Sequence, residues 1–143
     1  MYKNSLNKKI LILFLAFLFL FNITGCKKTE IQEGNSYTSK EEVAEYIHKY
    51  KELPVNFISK KEANKLGWKS SEGNLWEVTD QASIGGDVFG NREGLLPKKK
   101  GRTYYECDIN YQGGYRGGER IVFSNDSLIY YTEDHYKSFE KLY

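Results

Sequence analysis

Past about residue 80 the apolar residues of this chain change from helical spacing to strict alternation, and that change limits the fold most. Before it, Ser39-Lys40-Glu41-Glu42 has the form of a capping box, and Val43, Ile47 and Tyr50 follow at helical spacing. Leu53-Pro54 stops that helix, because the residue before proline is pushed out of the helical region. Lys51 sets a cation near the helix end, where the dipole favours it. Ser59-Lys60-Lys61-Glu62 is a second capping box, opening a short helix that Gly67 ends. Asn74 is expected to cap a third short turn through Val78. After the change, residues 83–89, 103–109, 119–123, 128–132 and 139–142 read as strands, with a turn at 124–127. Helices first and strands afterward specify an α+β domain: two to three N-terminal helices, then a roughly five-stranded antiparallel sheet.

The amino terminus carries a different message. Lys3, Lys8 and Lys9 precede an unbroken apolar run from Ile10 to Phe21, and Ile23-Thr24-Gly25-Cys26 follows. The run is shorter than the roughly 20 residues a membrane-crossing helix needs. Basic, apolar and small-residue regions in that order form an export signal. Ile-Thr-Gly-Cys resembles a bacterial lipobox, in which Cys26 is lipidated and becomes the first mature residue. Diacylation would be needed for a stable tether. The expected organisation is a lipoprotein-type export signal at 1–25, a flexible polar tether at 26–38, and a folded domain at 39–143. The protein is therefore expected outside the cell, held to the outer face of the membrane only through Cys26.

Charge narrows the function classes. The chain has 21 basic and 19 acidic residues, a net of +2. Loss of Lys3, Lys8 and Lys9 with the signal leaves 18 against 19, a net of −1. A generally basic, nucleic-acid-coating protein is excluded. Polyanion binding would need a local patch, for which Lys60, Arg92, Lys98 to Lys100, Arg102, Arg116 and Arg120 are available. With Cys26 lipidated, Cys107 has no partner and no disulfide framework exists.

All four arginines lie between Arg92 and Arg120, and the planar guanidinium fork suits phosphate oxygens. Within that span, alternation puts Tyr104, Glu106 and Asp108 on one strand face and Tyr105, Cys107 and Ile109 on the other. The second set reads as core, with Cys107 a structural thiol. Two acids on the remaining face could simply be solvated, but Arg116 and Arg120 can reach the same face. Asp108 is then the structural partner of an arginine, and Glu106 the freer carboxylate. A carboxylate, arginines and the histidine of Asp134-His135-Tyr136 supply a base, an acid and a phosphate clamp. His48 falls off the apolar face of the first helix and is expected to be solvated.

From about Val43 to Tyr143 the chain resembles the extracellular guanyl-specific bacterial ribonucleases, the barnase type of the microbial ribonuclease family. The shared stretches include Leu66-Gly67-Trp68, Gly73-Asn74-Leu75, Ser83-Ile84-Gly85-Gly86-Asp87, Asn91-Arg92-Glu93-Gly94, Gly101-Arg102-Thr103, Asp108-Ile109-Asn110-Tyr111 and Asp134-His135-Tyr136. The resemblance implies an endoribonuclease that cuts single-stranded RNA 3′ of guanosine through a 2′,3′-cyclic phosphate. It makes Glu106 the general base and His135 the general acid, with Lys60, Arg116 and Arg120 around the phosphate. It assigns guanine recognition to Phe89-Gly90-Asn91-Arg92-Glu93, through backbone groups and the Glu93 carboxylate, and substrate contact to Tyr136. It implies no metal or cofactor, since the nucleophile is the RNA 2′-hydroxyl, which DNA lacks. It also implies a monomer and a barstar-like intracellular protein inhibitor with an acidic face toward Arg92, Arg116 and Arg120. Gly90 departs from a serine in the family pattern, and Tyr104 and Ser127 from tryptophans. The alternatives are a non-catalytic RNA- or polyanion-binding surface lipoprotein, and a structural envelope lipoprotein whose arginines serve only ion pairs.

Overall fold

The computed structural model describes residues 30–143, so the export signal and Cys26 lie outside the described residues. Helix α1 spans Lys40–Tyr50 and buries Val43, Ala44, Tyr46 and Ile47. Ser39 caps it, its hydroxyl accepting from the Glu42 N–H and donating to the Glu42 carboxylate. Lys51 ends it one turn before the proline, in the left-handed region (φ 63°) with its N–H on the Ile47 carbonyl. A left-handed cap, and not Pro54, is the terminator.

Strand β1 is only Phe57–Ile58, and α2 follows at Lys60–Lys65 with the complete Ser59/Glu62 capping box. Helix α3 covers Leu75–Val78, but the Asn74 side chain makes no capping bond to it. Instead that side chain accepts from the Lys69 N–H and donates to the Gly67 carbonyl, tying down the turn between the two short helices. The other strands are β2 Ser83–Phe89, β3 Tyr104–Asp108, β4 Arg120–Ser124, β5 Ile129–Thr132 and β6 Glu140–Lys141. They form one sheet in chain order, β1 parallel to β2 and the rest antiparallel. The sheet is therefore six-stranded and mixed, where five antiparallel strands were expected. Two-residue β1 is too short to display any period.

Register divides the sheet into two faces. Cys107, Ile109, Ile121 and Ile129 pack against α1. On the other face Leu96, Tyr104, Val122 and Tyr130 form a second buried cluster, rimmed by Phe89, Leu128, Tyr136 and Phe139. The acid-bearing face is thus core as well, and Tyr105, expected inside, is only half-buried. A bulge at Gly86 (φ 92°) breaks the β2–β3 ladder between Gly85↔Cys107 and Asp87↔Glu106. A Cβ at Gly85 would lie 2.7 Å from both the Cys107 Cβ and the Phe57 ring, so only glycine lets the strands close there. The bulge re-aims Asp87 onto the face of Glu106.

The segment expected to be a loose tether is packed from Ile31 onward. Ile31 and Tyr37 are buried with the α1 residues. The Ile31 carbonyl accepts from Lys49 Nζ (2.9 Å) and the Tyr50 hydroxyl (3.1 Å). Asn56 brackets Tyr37, accepting from its N–H and donating to its carbonyl. Burying two such apolar side chains contributes roughly 1.5–3 kcal/mol each, enough to hold a short strap on the domain.

Candidate active site

Glu106 stands mid-strand in β3 and is 7% exposed. Lys60 Nζ lies 2.7 Å from Oε1, and the Tyr136 hydroxyl donates to Oε2. The carboxylate is therefore held from two sides. Burial pushes its pKa up, but the Lys60 and Tyr136 hydrogen bonds and the Lys60 and Arg116 charges outweigh that and leave it below the ordinary glutamate value. Lys60 is itself placed by Asp87, whose carboxylate accepts from the Lys60 N–H at 2.9 Å. That carboxylate also complements the positive end of α2.

Asp108, two residues along on the same face, carries the guanidinium cluster. Arg116 grips it in a fork, Nε to Oδ2 at 2.7 Å and Nη2 to Oδ1 at 2.6 Å. Arg120, its cross-strand neighbour on β4, brings Nε to 3.0 Å from Oδ1, but the N–H is misaligned and makes no hydrogen bond. The Coulomb contact is real at that distance, whereas the hydrogen bond is missing. Arg120 Nη1 instead donates to the Gly117 and Glu119 carbonyls, and the side chain is 3% exposed. At this end of β3 two guanidiniums share the one Asp108 carboxylate, while Lys60 is met by Glu106 at its ammonium and by Asp87 at its backbone N–H.

His135 and Tyr136 follow β5 in consecutive left-handed conformations (φ 58° and 73°), costly for residues with side chains. Asp134 and Thr132 hold them there. Asp134 Oδ1 accepts from the Thr132 hydroxyl and the Lys137 and Ser138 N–H groups, while Oδ2 accepts from the Ser138 hydroxyl. The Thr132 hydroxyl in turn accepts from the Tyr136 N–H. Those donors, the Ser138 hydroxyl first, keep the Asp134 carboxyl well below its ordinary range. A Cβ at Gly118 would lie 3.2 Å from the Glu133 carbonyl, so the chain packs closely beneath His135. The His135 ring is exposed, with its centroid 4.7 Å from that of Tyr136. Glu106, Tyr136 and His135 thus form a continuous row. Asp87, Thr132 and Asp134 were not anticipated as parts of it; only Asp134, four residues before Ser138, carried a local sign.

The sequence profile of a family described as ribonuclease matches residues 40–143. The chain belongs to the ribonuclease family. A ribonuclease of Heyndrickxia coagulans is 55% identical over 100 residues, covering 70% of this chain and 92% of the relative. One from Bacillus intermedius shows the same identity over 100 residues, but they span only 62% of its length, so the chain covers less than two thirds of that relative. A guanyl-specific ribonuclease of Saccharopolyspora erythraea is 44% identical over 55 residues, 38% of this chain and 54% of the relative.

Elsewhere in this ribonuclease, the loop after β2 is built around Asn91. Its buried side chain donates to the Leu96 carbonyl (2.8 Å) and accepts from the Leu96 N–H (3.1 Å), and it adopts φ 43°. The Asn91 side chain is thereby spent on holding its own loop. Gly90, Arg92 and Glu93 are exposed around it. Phe89 leads into the loop with its ring centroid 5.0 Å from that of Tyr136, joining loop and site. The cationic patch drawn from the sequence does not hold together. Arg102 forks onto Asp126 and donates to the Pro97 carbonyl, away from Arg116 and Arg120. Cys107 is buried, which pushes its thiol pKa far up and removes it from any chemistry.

Proposed function

We propose that this ribonuclease cuts single-stranded RNA on the 3′ side of guanosine by cyclising transesterification. Glu106 takes the proton of the 2′-hydroxyl as that oxygen attacks phosphorus. The phosphorus–O5′ bond breaks and His135 gives its proton to the leaving oxygen, yielding a 2′,3′-cyclic phosphate and a free 5′-hydroxyl. Water then opens the cyclic ester to a 3′-phosphate with the two roles exchanged. Lys60, Arg116 and Arg120 supply positive charge where the phosphoryl oxygens gain negative charge. The observation that carries this reading is the buried Glu106, kept ionised by Lys60 and Tyr136 in a row that ends on the exposed His135.

Guanine is taken by the Phe89-Gly90-Asn91-Arg92-Glu93 loop. Its ring N–H and amino group face the Glu93 carboxylate, and its acceptors face backbone N–H groups. A guanyl-specific relative supports that preference. The reaction runs outside the cell, from a monomer anchored through a lipid on Cys26, and a barstar-like inhibitor with an acidic face protects the producing cell.

The test uses the full chain in detergent with EDTA and a short RNA bearing one guanosine. Cleavage 3′ of that guanosine is expected, with Glu106→Ala and His135→Ala each lowering the rate by about 10²–10⁴. Binding without any cut would overturn the catalytic reading in favour of a polyanion-binding protein.

A further inference from the structure

The proposed reaction uses one face of the sheet, and a short side-chain network on the other face takes no part in it. Glu119 stands immediately before Arg120, so their side chains leave the strand on opposite faces. The Glu119 carbonyl accepts from the Ile109 N–H at 3.2 Å, which carries the β3–β4 ladder one residue past the strand end. Tyr131 lies on the α1 side, packed against the cluster that holds Cys107, Ile121 and Ile129. Its hydroxyl donates to Glu119 Oε1 at 2.5 Å, and Asn110 Nδ2 donates to the same oxygen at 3.0 Å. Burial, with the Glu119 bond second, holds the Tyr131 phenol pKa well above its usual value, so it remains a donor.

The network closes a segment with little rigidity of its own. Residues 110–119 include glycine at 113, 114, 117 and 118, and glycine leaves a backbone free to move. Yet that backbone aims a catalytic cation. Arg120 Nη1 donates to the Gly117 and Glu119 carbonyls at 2.9 and 2.7 Å, whereas its Nε has no hydrogen-bond partner. The guanidinium thus follows wherever those two carbonyls go. At the near end, the Asn110 N–H donates to the Thr38 carbonyl at 2.8 Å, so Asn110 is a fixed point. We propose that Glu119, braced by Tyr131 and Asn110, is a positioning residue that aims Arg120 at the phosphate from behind the sheet. The proposal rests on the reading that Arg120 meets the scissile phosphate.

The experiment measures kcat and KM for the dinucleotide GpA, using the full chain in detergent at a temperature where urea unfolding shows every variant folded. Glu119→Ala is expected to lower kcat about tenfold with KM within about twofold, because a misaimed guanidinium loses contacts made in the transition state. Glu119→Gln keeps an acceptor for both donors and should recover most of that rate. Tyr131→Phe keeps the ring and loses the hydroxyl, and its kcat should fall about two- to fivefold. In an Arg120→Lys background, which removes the guanidinium being aimed, Glu119→Ala should cost less than about twofold. An unchanged kcat in both Glu119→Ala and Tyr131→Phe, no recovery in Glu119→Gln, or the full tenfold loss in the Arg120→Lys background would each overturn the brace. A parent that leaves GpA uncut is a different result, needing no variant, and would sink the cyclising reading and this proposal with it.

Discussion

The two arginine–aspartate forks of this molecule look alike and do different things. Arg102 and Asp126 join the turn before β3 to the turn after β4, with Asp126 about a third exposed (32%). Arg116 and Asp108 make the same fork at the other end of β3, but the carboxylate is 2% exposed and a second guanidinium, Arg120, crowds it. In the first fork the acid serves one arginine, with the exposed Lys99 ammonium farther off at 3.6 Å, and water reaches it. In the second, one acid must serve two arginines where water cannot help. An exposed fork is worth little and fixes local geometry. A buried carboxylate shared by two guanidiniums is a standing demand for an anion, which the proposed mechanism gives to the phosphodiester. Burial and stoichiometry, more than the residue pair, separate a staple from a site.

Removing the acid from each fork should separate them most. Asp108→Asn leaves the buried Arg120 and the half-buried Arg116 without their shared acid and is expected to cost about 3–5 kcal/mol in urea unfolding. Asp126→Asn should shift the midpoint no more than an ordinary surface substitution, because solvent and the Pro97 carbonyl still serve Arg102. Equal losses would erase the distinction. The loss in Asp108→Asn should shrink in phosphate or sulfate buffer, where an anion can stand in for the substrate.

A smaller effect comes from keeping charge and deleting the fork. Arg116→Lys retains the cation but cannot make the bidentate grip, so kcat/KM for GpA should fall about 10- to 100-fold. Arg102→Lys should leave that rate unchanged. A parallel loss in both variants would mean that the second fork acts through stability alone.

What the sequence made legible follows how far each signal reaches along the chain. Both capping boxes were visible because their partners stand three residues apart; the Ser59/Glu62 box forms completely, whereas at Ser39 only the hydroxyl engages Glu42. The alternation of β3 assigned Asp108 to an arginine and Cys107 to the core, because strand geometry fixes faces without knowledge of neighbours. It could not show that the acid face is also buried. That depends on Val122 and Tyr130 from other strands, and on Leu96 from a loop. The Tyr136–Glu106 bond spans 30 residues and has no local trace. Ile31 and Tyr37 were lost in a polar, glycine-containing stretch whose composition resembles a linker. The arginine cluster misled in one respect: Arg102 is near in sequence, but β3 carries it to the opposite end of the sheet.

The finest test asks what keeps Glu106, the proposed base beside the second fork, in its ionised form. Tyr136 bonds Glu106 and lies within the field of Arg120, while burial, with the Glu106 contact second, holds its own phenol pKa well above the usual value. It therefore stays a donor throughout the working pH range. In Tyr136→Phe the Glu106 carboxylate loses one of the two hydrogen bonds that offset its burial, so its pKa must rise. Glu106 works as a base only when ionised, and the acidic limb of kcat/KM should accordingly move to higher pH, with a loss below about tenfold on the plateau. Stability follows the same sign. The ionised Glu106 stabilises the fold above its unfolded pKa, and that contribution disappears as pH falls through the lower folded value. The variant should lose part of it, and its acid unfolding should begin at higher pH than in the parent. Arg102→Lys, acting on the fork that faces water, should leave both curves in place. An acidic limb unmoved in Tyr136→Phe would mean that the Lys60 contact and the Arg116 charge keep Glu106 ionised without the phenol.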